Sequence, residues 1–219
     1  MKRALLALAL VACSKTSSPP PPPAASKAPV ATQKAPATMP KVPDGPAVIP
    51  LAERGPSIYD LPIQDLTDAD GRSIHLDVSR GHVTIVSMFY ASCTVVCPLI
   101  IAELKQTLEE LPPAVRADAR VLLVSFDPAR DTPQQLKQLV TERKLDAHWT
   151  LARPAEADAR ALAAVLHVQY RKLDDGQFAH NVSMTVLDRD GRPVARADQL
   201  GQRATLVRAV IAESAVPSS

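Results

Sequence analysis

The apolar positions of this 219-residue chain fall into two regimes. Apart from a short block at the N-terminus, no helical or strand period holds before Ser57. Beyond it, the segment starting "IYDLPIQDLTDADGRSIHLDV" gives two short alternating runs around Asp70-Gly71, the signature of a hairpin. Val83 to Phe89 is almost continuously apolar and bounded by Gly81-His82, which predicts a buried central strand. In "LIIAELKQTLEEL" (99–111), Ile100, Ile101, Leu104, Leu108 and Leu111 fall at helical spacing, and Pro112-Pro113 ends the helix. "RVLLVSF" (120–126) reads as a second buried strand. The segment 131–144 reads as an amphipathic helix with Asp131 as its N-cap and Pro133 in its first turn. "HWTLA" reads as a short strand, 154–168 as an Ala-rich helix, and "QYRKLDDGQFAH" as a loop or hairpin arm. A strand, an Asp190-Gly191 turn and a second strand follow, and a helix over "QRATLVRAVIAES" closes the chain.

Strand–helix–strand–helix, then an antiparallel hairpin and a final helix, is the thioredoxin-like order. It predicts an α/β fold: a mixed sheet flanked by helices, preceded by an N-terminal β-hairpin. The predicted domain runs over 58–219, and the chain's 46% hydrophobic share supplies a sizeable core. Residues 13–57 are Pro/Ala/Lys/Ser-rich and cannot bury enough surface to fold, so they predict a disordered tether. The run Pro19–Pro23 favours polyproline II, a semi-rigid spacer. Before it, Lys2-Arg3 and "ALLALALVA" form the charged and apolar parts of a targeting leader too short to span a bilayer. "LVAC" resembles the lipobox of bacterial lipoproteins. That implies a signal peptide over 1–12, lipidation at Cys13 and a membrane-anchored lipoprotein on the periplasmic side. An ordinary secretory leader with an unrelated cysteine is the alternative. A net charge of +2 without a Lys/Arg block excludes nucleic acid as a partner.

Cysteine use then separates. With Cys13 assigned to lipid, Cys93 and Cys97 remain as a pair between the central strand and the following helix. Open α/β sheets place their chemistry at that edge. The four-residue spacing predicts both thiols on one face of a nascent helix, where the dipole favours thiolate. Two chemistries suit it: a reversible disulfide, or a soft ion such as Cu(I) with a third ligand from elsewhere. Among the five histidines, His75 alternates with apolar residues and reads as solvent-facing. His82 sits in a turn, His148 begins a strand and His167 ends a helix. His180 differs, because it precedes a strand expected beside the central one, and its loop can reach the helix N-terminus. Met88 and Met184 read as core filler on strands, although a thioether can ligate copper.

Three stretches in this order resemble the Sco/SenC family of copper chaperones, which assist cytochrome c oxidase assembly. They are "VSMFYASCTVVCP", "VLLVSFDPARDTPQQL" and "FAHNVSMTVLDRDGRPV". The resemblance covers about 58–215. It implies copper, as Cu(I) or Cu(II), held by Cys93, Cys97 and His180. It implies an oxidase subunit or another periplasmic cuproprotein as client. Asp127 matches an acidic position near the family's site, as a residue behind the ligands or one contacting the partner; a turn residue closing the strand is the other reading. The chain departs from many members at Ser92 and in the apolar Thr94-Val95-Val96 between the thiols. Two further functions remain. A thiol–disulfide oxidoreductase would use Cys93 and Cys97 without copper. A peroxiredoxin-type thiol peroxidase shares the fold, but "MFYASC" lacks the proline which that chemistry usually wants.

Overall fold

The computed structural model describes residues 54–63 and 65–216. The expected leader over 1–12, Cys13 and the Pro-rich segment as far as 53 lie outside the described residues.

A seven-stranded sheet forms the centre of the fold. In chain order its strands are β1 (Leu66–Asp68), β2 (Ser73–Ile74), β3 (Thr84–Phe89), β4 (Arg120–Ser125), β5 (Trp149–Arg153), β8 (Met184–Leu187) and β9 (Pro193–Ala197). Across the sheet the order is β2-β1-β5-β4-β3-β8-β9. The β3–β4 and β4–β5 pairs are parallel, and the remaining pairs are antiparallel. Every residue of β3 is buried, as an uninterrupted apolar run in a central strand requires. Strands β6 (Tyr170–Lys172) and β7 (Phe178–His180) form a separate two-stranded sheet. His180 therefore ends a hairpin arm and does not belong to the loop leading into β8.

Helix α1 (Val96–Glu110) begins three residues before its apolar period becomes visible at Leu99. Pro112-Pro113 stops it as expected, but Pro113 also opens a short helix α2 (Pro113–Asp118), which the sequence pattern does not reveal. Proline is tolerated in a first turn because its missing N–H is one the helix leaves unpaired anyway. Helix α3 (Pro133–Glu142) is capped by Thr132, not Asp131. Thr132 and Gln135 exchange side-chain and backbone bonds in a capping box. Asp131 turns inward instead and is 1% exposed. Helices α4 (Glu156–Val165) and α5 (Arg203–Ser214) complete the set. Lys105 of α1 donates to the Arg143 carbonyl just past α3, at 2.8 Å. This contact joins α1 and α3, as two successive right-handed β–α–β crossovers on one face require.

The packed chain reaches back to Arg54, four residues before the boundary that composition suggests. The Arg54 guanidinium is buried between Asp188 and Glu213. Ser57 is buried and its hydroxyl caps the turn at Ile58–Asp60.

Candidate metal centre

The two thiols stand at the C-terminal edge of β3, as the pattern predicts, but they do not share a helical face. Cys93 lies in the turn ahead of α1, where its N–H donates to the Tyr90 carbonyl at 3.2 Å. Cys97 is in the first turn of α1. No side chain at the N-cap position, Val95, closes this helix. The Cys93 sulfur does that work, accepting the Cys97 N–H at 3.3 Å. Both cysteines are reduced and buried.

Cys97 Sγ stands 3.8 Å from His180 Nε2. The two sulfurs and one imidazole nitrogen all lie within 4.8 Å of one another, close enough for one ion to touch all three. The imidazole Nδ1 donates to the Asn181 carbonyl at 2.9 Å. A carbonyl can only accept, so the proton sits on Nδ1 and the lone pair of neutral imidazole points from Nε2 toward the sulfurs. Asn181 in turn secures that strand end. Its amide donates to the His167 carbonyl at 2.9 Å and accepts the Gln169 N–H at 2.7 Å. The His180 ring lies against Tyr90 and Phe126, with centroids 6.0 and 5.2 Å away. Phe178 packs on both, and the Tyr90 hydroxyl donates to Gln177 at 2.9 Å. One side of the imidazole is thus walled by aromatic rings.

The thiols titrate in opposite directions. Hydrogen bonding from the Cys97 thiol, the largest influence, brings Cys93 down to about 3; the N–H groups of Cys97 and Val95 add to it, and burial opposes it. The same shared bond, then burial and the nearby charges of Cys93 and Asp131, push Cys97 up. Burial and Cys93 also push the Tyr90 hydroxyl up to about 12, so it stays a donor. The metal-free pair therefore holds one proton between two sulfurs, with the thiolate on Cys93.

The remaining expected residues are placed as follows. Asp127 is buried and pairs with Arg130. The Arg130 guanidinium lies 5.4 Å from the centre of the Phe178 ring, so Asp127 reaches that ring through Arg130. Asp131, expected as a cap, accepts the Ala91 N–H at 2.9 Å and the Ser125 hydroxyl at 2.6 Å. It ties the end of β4 to the turn carrying Cys93. Burial raises its pKa, against those two hydrogen bonds. His75 is exposed and pairs with Asp65, and His82 pairs with Asp118. His148 bonds the Ala119 carbonyl, and Met88 and Met184 are core residues. Sequence reasoning missed Tyr90 and Asn181. An aromatic three residues before Cys93 and an asparagine directly after His180 were the available signals.

The sequence model described as SCO1/SenC matches residues 63–214. The chain is similar to the "SCO1 protein homolog" of Bacillus subtilis, 24% identical over 143 residues, which are 64% of this chain and 74% of that protein. It is also similar to a protein of Stutzerimonas stutzeri named for copper binding, 31% identical over 77 residues; the match spans 35% of this chain but only 38% of that protein. Among solved structures, yeast Sco1 with copper bound superposes with a TM-score of 0.61 at 20% identity, covering 74% of this chain and 92% of that one. A SCO1/SenC family lipoprotein from Bacillus anthracis gives 0.63 at 20% identity, covering 71% and 95%. At these identities the superpositions establish a shared fold, the thioredoxin-like mixed α/β arrangement. Among the described residues no helix is long and apolar enough to cross a membrane.

Proposed function

The chain belongs to the SCO1/SenC family, and on that footing we propose that it binds one copper ion as cargo through Cys93 Sγ, Cys97 Sγ and His180 Nε2. It delivers the ion to an extracytoplasmic client such as the copper site of cytochrome c oxidase. The observation that carries this reading is the convergence of those three donor atoms within 4.8 Å.

The donor set suits Cu(I). Two thiolates and an imidazole are soft to borderline ligands, whereas structural zinc takes four. Two thiolates with Cu(I) leave one net negative charge, which the N-terminus of α1 beside Cys97 offsets. Each ligand comes from a differently anchored element: a turn tied down by Asp131, a helix, and a hairpin pinned by Asn181. Asp127 acts at one remove, by holding Arg130 over Phe178. Membrane tethering through Cys13 would keep the carrier at the surface where its client is assembled.

The test is a Cu(I) titration of the full reduced chain against a chromogenic chelator. One ion per chain is expected, and His180→Ala should weaken binding by at least about tenfold, as the loss of one of three ligands requires. Equal affinity in wild type and His180→Ala would sink the three-ligand site.

A second reading, thiol–disulfide exchange, is favoured by the asymmetric protonation. A thiolate at Cys93 is the attacking form, and Cys97 stands ready to resolve a mixed disulfide. That activity would survive His180→Ala.

A further inference from the structure

Beside the two cysteines the structure opens a recess between α1 and α3, with Tyr90 of the aromatic wall at its edge. It is open to solvent, has room for about one water molecule, and is lined by Cys93, Cys97, Pro98, Ile101, Leu139 and Arg143. His180 is not among its walls. The floor is apolar, with Ile101 and Leu139 both buried. The rim carries one cation without a counter-charge: among the described residues the Arg143 guanidinium has no hydrogen-bond or ion-pair partner. A second cation stands close by, since Lys105 Nζ rests on the Arg143 carbonyl at 2.8 Å.

We propose that this cleft is the docking site for an incoming cysteine-bearing peptide segment with a neighbouring carboxylate, which Arg143 holds while the thiol reaches the two protein sulfurs. The geometry supplies the route. Both cysteines line the recess, so a group seated in it meets the sulfurs. The charge supplies the specificity. A copper-loaded dithiolate site is net negative and repels an arriving thiolate, and an unpaired guanidinium at the mouth reverses that local field. The apolar floor accommodates the methylene of the cysteine and favours a partially desolvated approach.

The electrostatic part needs no copper. In the reduced, metal-free full chain, Cys93 is alkylated in parallel with anionic iodoacetate and neutral iodoacetamide, and the modified site is read by mass spectrometry. In both reactions a sulfur–carbon bond forms as the carbon–iodine bond breaks and iodide leaves. Arg143→Gln should lower the iodoacetate rate about fivefold relative to iodoacetamide, the scale expected for one nearby charge in a half-solvated cleft. Arg116→Gln, an exposed position on α2, removes the same net charge and should leave the ratio unchanged. An unchanged ratio in Arg143→Gln, or an equal drop in both variants, overturns the proposal.

A second arm rests on the copper reading above. Transfer of Cu(I) from the loaded chain is timed with two cysteine peptides that differ only in Asp against Asn beside the cysteine. Arg143→Gln should slow transfer to the Asp peptide alone; slowing both equally counts against the cleft. If the chain takes up no Cu(I), the copper reading fails while the alkylation ratio still decides the cleft.

Discussion

Cys93 and Cys97 are chemically identical side chains held in opposite protonation states, and that asymmetry has a countable consequence. Cys93, pulled down to about 3, is a thiolate at pH 7, whereas Cys97, pushed up, is a thiol. Metal ligation requires both as thiolates. Loading one Cu(I) at pH 7 should therefore release close to one proton from the pair. Two thiols with ordinary values near 8.5 would release almost two. Calorimetry of Cu(I) uptake in buffers of differing ionisation enthalpy counts the protons. A value near two would mean that the shared hydrogen bond does not polarise the pair. The same asymmetry makes Cys93 the faster-alkylated thiol at and below neutral pH, and its reactivity should persist well below pH 7.

Elements hold the site in place from a distance, and the N-terminal strap around Arg54 shows how. Arg54 Nη1 lies 3.1 Å from Asp188 and 3.0 Å from Glu213, and its Nη2 also engages Glu213. Glu213 belongs to α5, and Asp188 opens the turn between β8 and β9. The Asp188 carboxylate also accepts the N–H groups of Asp190 and Arg192. Gly191 in that turn has φ +81, and the Tyr59 ring occupies the place a Cβ would take, so only glycine fits. Arg54→Met leaves two buried carboxylates without their cation and should cost about 3–5 kcal/mol in urea unfolding. A chain starting at residue 58 should lose a similar amount. Loss of less than about 1 kcal/mol in both would show that the triad is not a structural staple. The strap is illegible in the sequence for a physical reason. Residues 54–57 are as polar and Gly/Pro-rich as the segment before them, and their order comes from partners more than 130 positions away. Strands β3 and β4 were legible because complete burial demands an unbroken apolar run. Helix α2 was not, because Pro112-Pro113 reads equally well as a stop. Asp131 and Thr132 both suit an N-cap. The choice between them is made by the distant Ala91 N–H, which claims the carboxylate of Asp131.

Across the whole molecule, the metal centre and the point where the N-terminal segment joins the domain lie at opposite edges of the sheet. Ile58 donates to the Gly191 carbonyl at 2.9 Å. That turn follows Leu187, which pairs with Thr84 at the start of β3. Cys93 comes after the other end of β3, about 20 Å away at about 3.3 Å per residue. The proposed copper site and the proposed membrane address are therefore separable. All three proposed ligands and the elements that brace them belong to the chain from Arg54 onward, whereas the proposed address is one sulfur at Cys13. If Cys13 is acylated, the wild-type chain expressed in a Gram-negative host should incorporate labelled palmitate and sediment with membranes. Several buried acyl chains, at about 0.8 kcal/mol per CH₂, hold a protein there stably. Cys13→Ser should lose both label and sedimentation while its Cu(I) affinity stays within about twofold of wild type, because no ligand or brace is touched. An unlabelled wild-type chain would instead identify the leader as an ordinary secretory signal. A Cys13→Ser chain that still sediments would place its membrane attachment elsewhere.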